Sequence, residues 1–367
     1  SVTKQIFFFA IPILLGSLFQ QLYNVVDSII VGKVLGKGAL AAVGASFPII
    51  FTLVALLIGV SIGFSVVISQ YYGAKDIPKV KNAIDTMFLF FFGMAVVVTI
   101  LGIAFSEQLF RILQLPENLM PQATSYLNIY MLGMIVFFGF SGINSALKGL
   151  GDSKTPLYFL IVSAIFNVVF DVLFVMVFHW GIEGAAWASI LAQSGAFLTG
   201  ILYLNKTHQI IQFSPLKLRF YKEIFIKSLK IGVPAGMQTT FVALGMMALL
   251  GIVNTFGTDV IAAYTAAGRI DALAMLPAMT FSQALSSFTG QNMGAKKIDR
   301  VLKGYRSTLT MTILLCLFLT AVIVLFGNEL MQLFISDSNV IAIGKEYLVI
   351  VSSFYILFAI MFITNGL

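Results

Sequence analysis

Ten runs of apolar residues, at 5–33, 41–72, 83–105, 121–147, 155–179, 182–205, 231–256, 259–293, 305–327 and 340–367, are each long enough to cross a bilayer. The hydrocarbon core they must span is about 30 Å thick. Backbone polar groups find no water in that layer, so each run must satisfy its own hydrogen bonds as a helix. Composition agrees, with 59% hydrophobic and only 10% charged residues and a mean hydropathy of +0.99. A soluble domain carries about 25% charged residues. The expected fold class is therefore an all-α membrane protein.

The runs are organised by an internal repeat. Gln70-Tyr71-Tyr72-Gly73-Ala74-Lys75 returns as Gln291-Asn292-Met293-Gly294-Ala295-Lys296, and the same offset of 221 residues places Val80 on Val301, Tyr126-Leu127 on Tyr347-Leu348 and Asn144 on Asn365. With one slipped residue upstream, Ile11-Pro12 falls on Val233-Pro234. A period this long means two homologous halves rather than a solenoid. In a membrane chain, two halves in the same orientation suggest a transporter of two lobes around a shared cavity. Six runs lie in the first half and four in the second. The parent fold is thus expected to have twelve helices, about ten of them present here, and a start without Met and an end inside an apolar run agree with a truncated chain.

Most of the 22 Lys and Arg fall at the N-terminus and in the even-numbered loops, at Lys4, Lys75/Lys79/Lys81, Lys148/Lys154, 206–230 and Lys296/Lys297/Arg300/Lys303/Arg306. Cytoplasmic loops carry such an excess, which predicts a multi-pass protein of the plasma (inner) membrane with a cytoplasmic N-terminus. Lys33 and Lys37 in the first odd loop run against this and are too few to reverse it. The net charge of +7 is then topological, and no nucleic-acid partner is expected, since that would need a basic soluble face. The lone cysteine, Cys316, excludes a disulfide framework. No cleavable signal peptide is expected.

The expected domains are an N-terminal six-helix lobe over 1–212, a cytoplasmic amphipathic linker over 213–229 and an incomplete four-helix lobe over 230–367. In the linker region Leu216, Phe220, Phe225 and Leu229 alternate with Lys217, Lys222, Lys227 and Lys230. That pattern suits a short helix lying on the membrane interface, or a solvated basic loop with buried anchors.

Polar residues inside spans are expensive and need a reason. Gln20, Tyr23, Asn24 and Asp27 are spaced by three and four and share one face of the first helix. Ser163, Asn167 and Asp171 form a second polar stripe in the fifth. The two acids, each with an amide before it, can meet across a helix interface. Two carboxylates in a low-dielectric site cannot both stay ionised cheaply, so one takes a proton or the pair binds a cation. Sodium would use oxygens from Asp27, Asp171, Asn167 and a hydroxyl such as Ser189. No cofactor is expected beyond H+ or Na+ as the coupling ion.

The second half lacks this chemistry at the matching positions. Asp27 is matched by Leu249, Gln20 by Val242 and Asn24 by Met246. Methionines at 237, 246, 247, 275 and 279 make that half soft, which would suit variable apolar ligands or, equally simply, a lipid-facing or core role.

The two-half layout, Tyr23-Asn24-Val25-Val26-Asp27-Ser28, the Gln-x-x-Gly-Ala-Lys ending of the second and eighth helices, and Lys148-Gly149-Leu150-Gly151-Asp152-Ser153-Lys154-Thr155-Pro156 together resemble the multidrug and toxic compound extrusion (MATE) family. The resemblance covers the whole chain. It implies a monomeric antiporter in membrane lipid that exports cationic, often aromatic small molecules in exchange for protons or sodium, by alternating access of two bundles. It also implies a cation site at Asp27, Asn167, Asp171 and Ser189, and a cavity lined by Gln20, Tyr23 and Asn144, with Asn24 on the same polar face. Some members carry further acids in the seventh and tenth helices; here the seventh has none and the tenth has Glu346 near its start.

Three other readings compete. A lipid or lipid-linked glycan flippase of the same superfamily should be richer in intrahelical Arg and Lys, and Arg269 is the one basic candidate. A channel should show matching polar faces in both halves. Gly149-Leu150-Gly151-Asp152 fits the Gly-x-Gly-Asp pattern of intramembrane aspartyl proteases, but no partner Tyr-Asp pair exists, and no His-Glu-x-x-His points to zinc hydrolysis. No enzyme activity is expected.

Overall fold

A computed structural model describes residues 1–113, 115–207 and 218–367. Among the described residues the chain is helical throughout and has no strand. The helices are α1 (Val2–Ile30), α2 (Gly36–Gly73), α3 (Ile77–Ala104), α4 (Ser106–Ile112), α5 (Met120–Leu132), α6 (Met134–Gly149), α7 (Lys154–Asp171), α8 (Gly181–Thr207), α9 (Lys222–Val253), α10 (Thr258–Gly294), α11 (Ile298–Gln332), α12 (Ser338–Ser353) and α13 (Tyr355–Asn365). Two π-helical stretches, Val31–Leu35 and Val172–Val177, extend α1 and α7.

Seven of these helices are long and apolar enough to cross a membrane, or up to nine when α5 with α6 and α12 with α13 each count as one bent span. The expected span at 259–293 is present as the 37-residue α10 but falls outside that set. Its sequence includes Asp259, Arg269 and Asp271, which lower its apolarity.

The repeat is visible in detail. Helix α5 bends into α6 by 49° and α12 into α13 by 48°, at positions related by the sequence offset. A bend frees backbone carbonyls, which must find donors inside a membrane. Thr99 donates to the Met131 carbonyl (2.7 Å) and its repeat mate Thr320 to the Ser352 carbonyl (2.8 Å). The shared Gly-Ala-Lys ending is a helix stop. Asp76 N–H bonds Tyr71 C=O and Lys75 N–H bonds Tyr72 C=O, both at 3.0 Å, with Lys75 at φ 60°. Lys297 N–H to Asn292 C=O (2.8 Å), Lys296 N–H to Met293 C=O (3.0 Å) and φ 57° at Lys296 reproduce it. Both are Schellman caps with lysine at the left-handed position.

Gly149-Leu150-Gly151-Asp152 is a third such stop. Gly151 takes φ 85°, and Asp152 N–H bonds Leu147 C=O at 2.9 Å. Asp152 Oδ1 then accepts from the N–H groups of Lys154 and Thr155, both at 3.0 Å, and starts α7. Its carboxylate is committed to a turn.

The chain forms two compact units, residues 15–240 and residues 1–14 with 241–367. This differs from the expected division at 213–229. In the larger unit, the N-terminal half of α9 packs on α2 through glycines. A methyl on Gly59 would collide with the backbone of Gly236, and one on Gly63 with the Ser228 carbonyl and Gly232. In the smaller unit, Ile6 and Ala10 of α1 join Phe281, Ala284, Leu285 and Ile363 in one buried cluster.

The linker differs too. Residues 213–217, including Leu216 and Lys217, lie outside the described residues. Residues 222–229 are the first turns of α9 rather than an interfacial helix. Their apolar side meets protein: Ile224 is buried, Phe225 packs on Phe90 with ring centroids 5.0 Å apart, and Leu229 packs against the same core. The lysine pattern that suggested an interface helix therefore leaves the charged side exposed, except for Lys227, whose ammonium stands 4.8 Å from the Tyr71 ring.

Candidate functional site

Helix α7 buries the polar stripe read from its sequence. Ser163 is 6% exposed, Asn167 1% and Asp171 0%, so these side chains have left water and must find partners here. Asn167, with its amide turned to satisfy both ends, donates to Asp171 Oδ2 at 2.7 Å and accepts from the Ser189 backbone N–H of α8 at 3.3 Å. Ser163 donates to Gln193 Oε1 at 3.1 Å, tying α7 to α8 a second time.

From α1, Tyr23 reaches across to Ser189, with 3.3 Å between the hydroxyls. Asp27, one turn further along, brings its carboxyl within hydrogen-bonding reach of Asp171. One oxygen of each acid, Asp27 Oδ1 and Asp171 Oδ1, is buried with no hydrogen-bond partner. Two carboxylates this close repel unless a positive charge lies between them. The ion pairs among the described residues are Lys79–Asp76 and Arg111–Glu107, so neither acid is matched to a Lys or Arg.

The backbone around the pair is irregular. Asp171 is the last α-helical residue before the π-helical stretch at 172–177, and Asp27 lies one turn before the one at 31–35. The two stretches touch. A π-turn displaces the residues beside it from the regular helical register, and such turns recur at functional sites.

Tyr23, Asp27, Asn167, Asp171 and Ser189 are thus brought together, all in the larger unit. Gln20 and Asn24 follow on the exposed part of the α1 stripe, with Gln20 Nε2 3.5 Å from Asn24 Oδ1. Asn144 is on α6 with its Oδ1 buried and unpartnered.

Sequence reasoning missed α5. The phenols of Tyr126 and Tyr130 lie within electrostatic reach of Asp27, and Thr124 Oγ1 and Asn128 Oδ1 nearby in sequence are buried without partners. The four residues interleave two stripes of period four, a signal present in the sequence but hidden because Tyr and Thr are unremarkable in a span.

The same residues set which oxygens face the space between the two acids. Asn167 turns its nitrogen, not its oxygen, toward Asp171, and its oxygen already accepts from Ser189 N–H. The two free carboxylate oxygens and the Tyr23 and Ser189 hydroxyls remain. Among the described residues no group of three or more His, Cys, Asp or Glu is placed to hold a metal ion.

Known proteins share this framework. The MatE family model matches residues 12–173 and 234–367. A probable multidrug resistance protein, YpnP of Bacillus subtilis (strain 168), is 35% identical over 367 residues, covering 100% of this chain and 82% of that protein. Another from the same organism, YoeA, is 31% identical, covering 98% of this chain and 79% of its own length. A solved outward-facing multidrug resistance MATE family transporter of the MOP superfamily superposes with a TM-score of 0.91 at 24% identity, covering 100% of this chain and 83% of that one, which establishes the fold.

Proposed function

Because the chain belongs to the MatE family, whose members are membrane transporters and not enzymes, we propose that it is an antiporter that exports bulky organic cations in exchange for protons, with Asp27 and Asp171 holding the exchanged proton between them. The observation that carries this reading is that the two carboxyls lie within hydrogen-bonding reach of each other, each with a buried unpartnered oxygen and, among the described residues, no Lys or Arg counter-charge.

The roles follow from the geometry. Asp27 and Asp171 exchange the proton. Asn167 holds the Asp171 carboxyl in place by donating to Oδ2. Tyr23 and Ser189 tie α1 to α8 beside the pair, so that a change in protonation acts on the contact between those helices. When the proton leaves, repulsion within the pair favours a different arrangement of α1 against α7, which is how a local charge can bias a two-state element. The protein works as a monomer in the plasma membrane with its N-terminus in the cytoplasm, the orientation that the lysine-rich loops favour. The likeness to proteins named for multidrug resistance supports drug efflux. An acidic buried site argues against a flippase for anionic lipid-linked glycans, which would need basic groups; Arg269 is exposed.

The test is ethidium efflux from proteoliposomes under an imposed proton gradient and, separately, an imposed sodium gradient. The proton gradient should drive efflux in the wild type and fail to do so in Asp27→Asn and Asp171→Asn. Efflux driven by sodium alone would assign the site to sodium.

A further inference from the structure

The smaller unit holds an acid that the carboxyl pair does not account for. Asp271 lies midway along α10, is half-buried, and accepts a hydrogen bond of 2.8 Å from the hydroxyl of Tyr355, a fully buried residue at the start of α13. An ionisable group in a membrane helix needs a partner, and neither of the two ion pairs among the described residues includes Asp271. The nearest cation in sequence, Arg269, is exposed, and two residues along a helix is a spacing that points side chains apart.

The surroundings have the composition of a cation receptor. Tyr264, Gly268, Asp271 and Met275 are spaced by four, three and four, so they share one face of α10. Gly268, between the tyrosine and the acid, has open space where a side chain would stand. Tyr264 meets Tyr347 of α12 edge to face, with ring centroids 5.4 Å apart at 74°. Tyr347 also lies within electrostatic reach of Asp271. The open space at Gly268, with a carboxylate about one turn along the helix and a phenol about one turn back, suits a flat or bulky organic cation, whose charge meets the acid and whose rings meet aromatic faces.

We infer that the Gly268 notch, with Asp271, Tyr355, Tyr264 and Tyr347 around it, binds the charged end of the exported organic cation, so that substrate and coupling proton are held on different units. The inference rests on the export reading above and adds the place where the substrate is recognised. It makes Asp271 a binding residue, and Tyr355 a positioning residue that fixes the carboxylate.

Equilibrium binding of radiolabelled tetraphenylphosphonium to the purified full chain, at one pH and without a gradient, tests it. Asp271→Asn should weaken binding at least about tenfold, a change of ~1.4 kcal/mol. Tyr355→Phe, which keeps the ring, should weaken it less, and Asp271→Glu should restore much of the affinity. Gly268→Leu, which fills the notch, should compete directly with the ligand and lower affinity while leaving Asp271 in place. Glu346→Gln, at an exposed position outside the notch, should bind tetraphenylphosphonium as the wild type does. Wild-type affinity in Asp271→Asn or in Gly268→Leu overturns the inference, as does an equal loss of binding in Glu346→Gln; in either case the antiport reading stands on its efflux data. Absence of tetraphenylphosphonium binding in the wild type overturns both.

Discussion

Tyr126 and Tyr347 are repeat mates, and each stands in the electrostatic field of a membrane acid, yet the acids come from unrelated positions. In the larger unit they are Asp27 and Asp171, supplied by α1 and α7. In the smaller unit the acid is Asp271, supplied by α10, while the mate of Asp27 is Leu249 and the mate of Asp271 is Ile50. Duplication has kept the scaffold, including the bends of 49° and 48° and the threonines that satisfy them, and has let the charge migrate. A framework set by backbone satisfaction tolerates little change, because every freed carbonyl in lipid must be matched. Charge placement is constrained by function alone, so the two halves can specialise.

The largest expected effect breaks this asymmetry at its strongest point. Asp27→Asn should abolish proton-driven efflux, and Asp171→Asn should do nearly as much. The double variant should be little worse than the worse single one, because residues acting as a unit are not additive. Glu346→Gln, at an exposed position in α12, should leave efflux near wild type in the same proteoliposome assay. Loss of coupling at Glu346 equal to that at Asp27 would mean that both halves couple.

A second contrast lies in the helix crossings. Gly63 of α2 and Ala284 of α10 are repeat mates at comparable crossings, but Gly63 leaves no room for a methyl whereas Ala284 already holds one. Gly63→Ala should destabilise the protein by about 1–3 kcal/mol through overpacking against backbone. Ala284→Gly removes a single methyl from a buried cluster and should cost about 1 kcal/mol. Thermal unfolding in detergent compares them, and equal losses would mean that the Gly63 crossing relaxes. The smallest effect concerns the two left-handed lysines. Lys75→Gly and Lys296→Gly should each change stability by no more than about 1 kcal/mol, and by the same amount, since relief of left-handed strain offsets the added chain entropy. Unequal shifts would show that one cap bears a further contact.

Much of this was legible in the sequence. The apolar runs located the spans because lipid demands them, and the spacing of Asp27 to Tyr23 and of Asp171 to Asn167 revealed stripes because helical period converts spacing into direction. Other features depend on tertiary partners. Asp271 carries no stripe of strongly polar neighbours, and its partner Tyr355 is 84 residues away. The α5 residues were hidden by their mild polarity. For residues 222–229 the sequence leaves the choice open, because a lysine-rich amphipathic pattern is the same whether its apolar side meets lipid or the Phe90 wall. The bond that Asn167 makes to Asp171 depends on which way its amide is turned, which spacing in the sequence does not fix.

The central claim is that one proton sits between Asp27 and Asp171, and infrared difference spectroscopy tests it most directly. At neutral pH and without sodium, the wild type should show a protonated carboxyl band whose frequency shifts in both Asp27→Asn and Asp171→Asn, because the proton is shared by the pair. Sodium should leave the band unchanged. An unshifted band in both single variants would contradict a shared proton, and its loss on adding sodium would make sodium the ion that the pair exchanges.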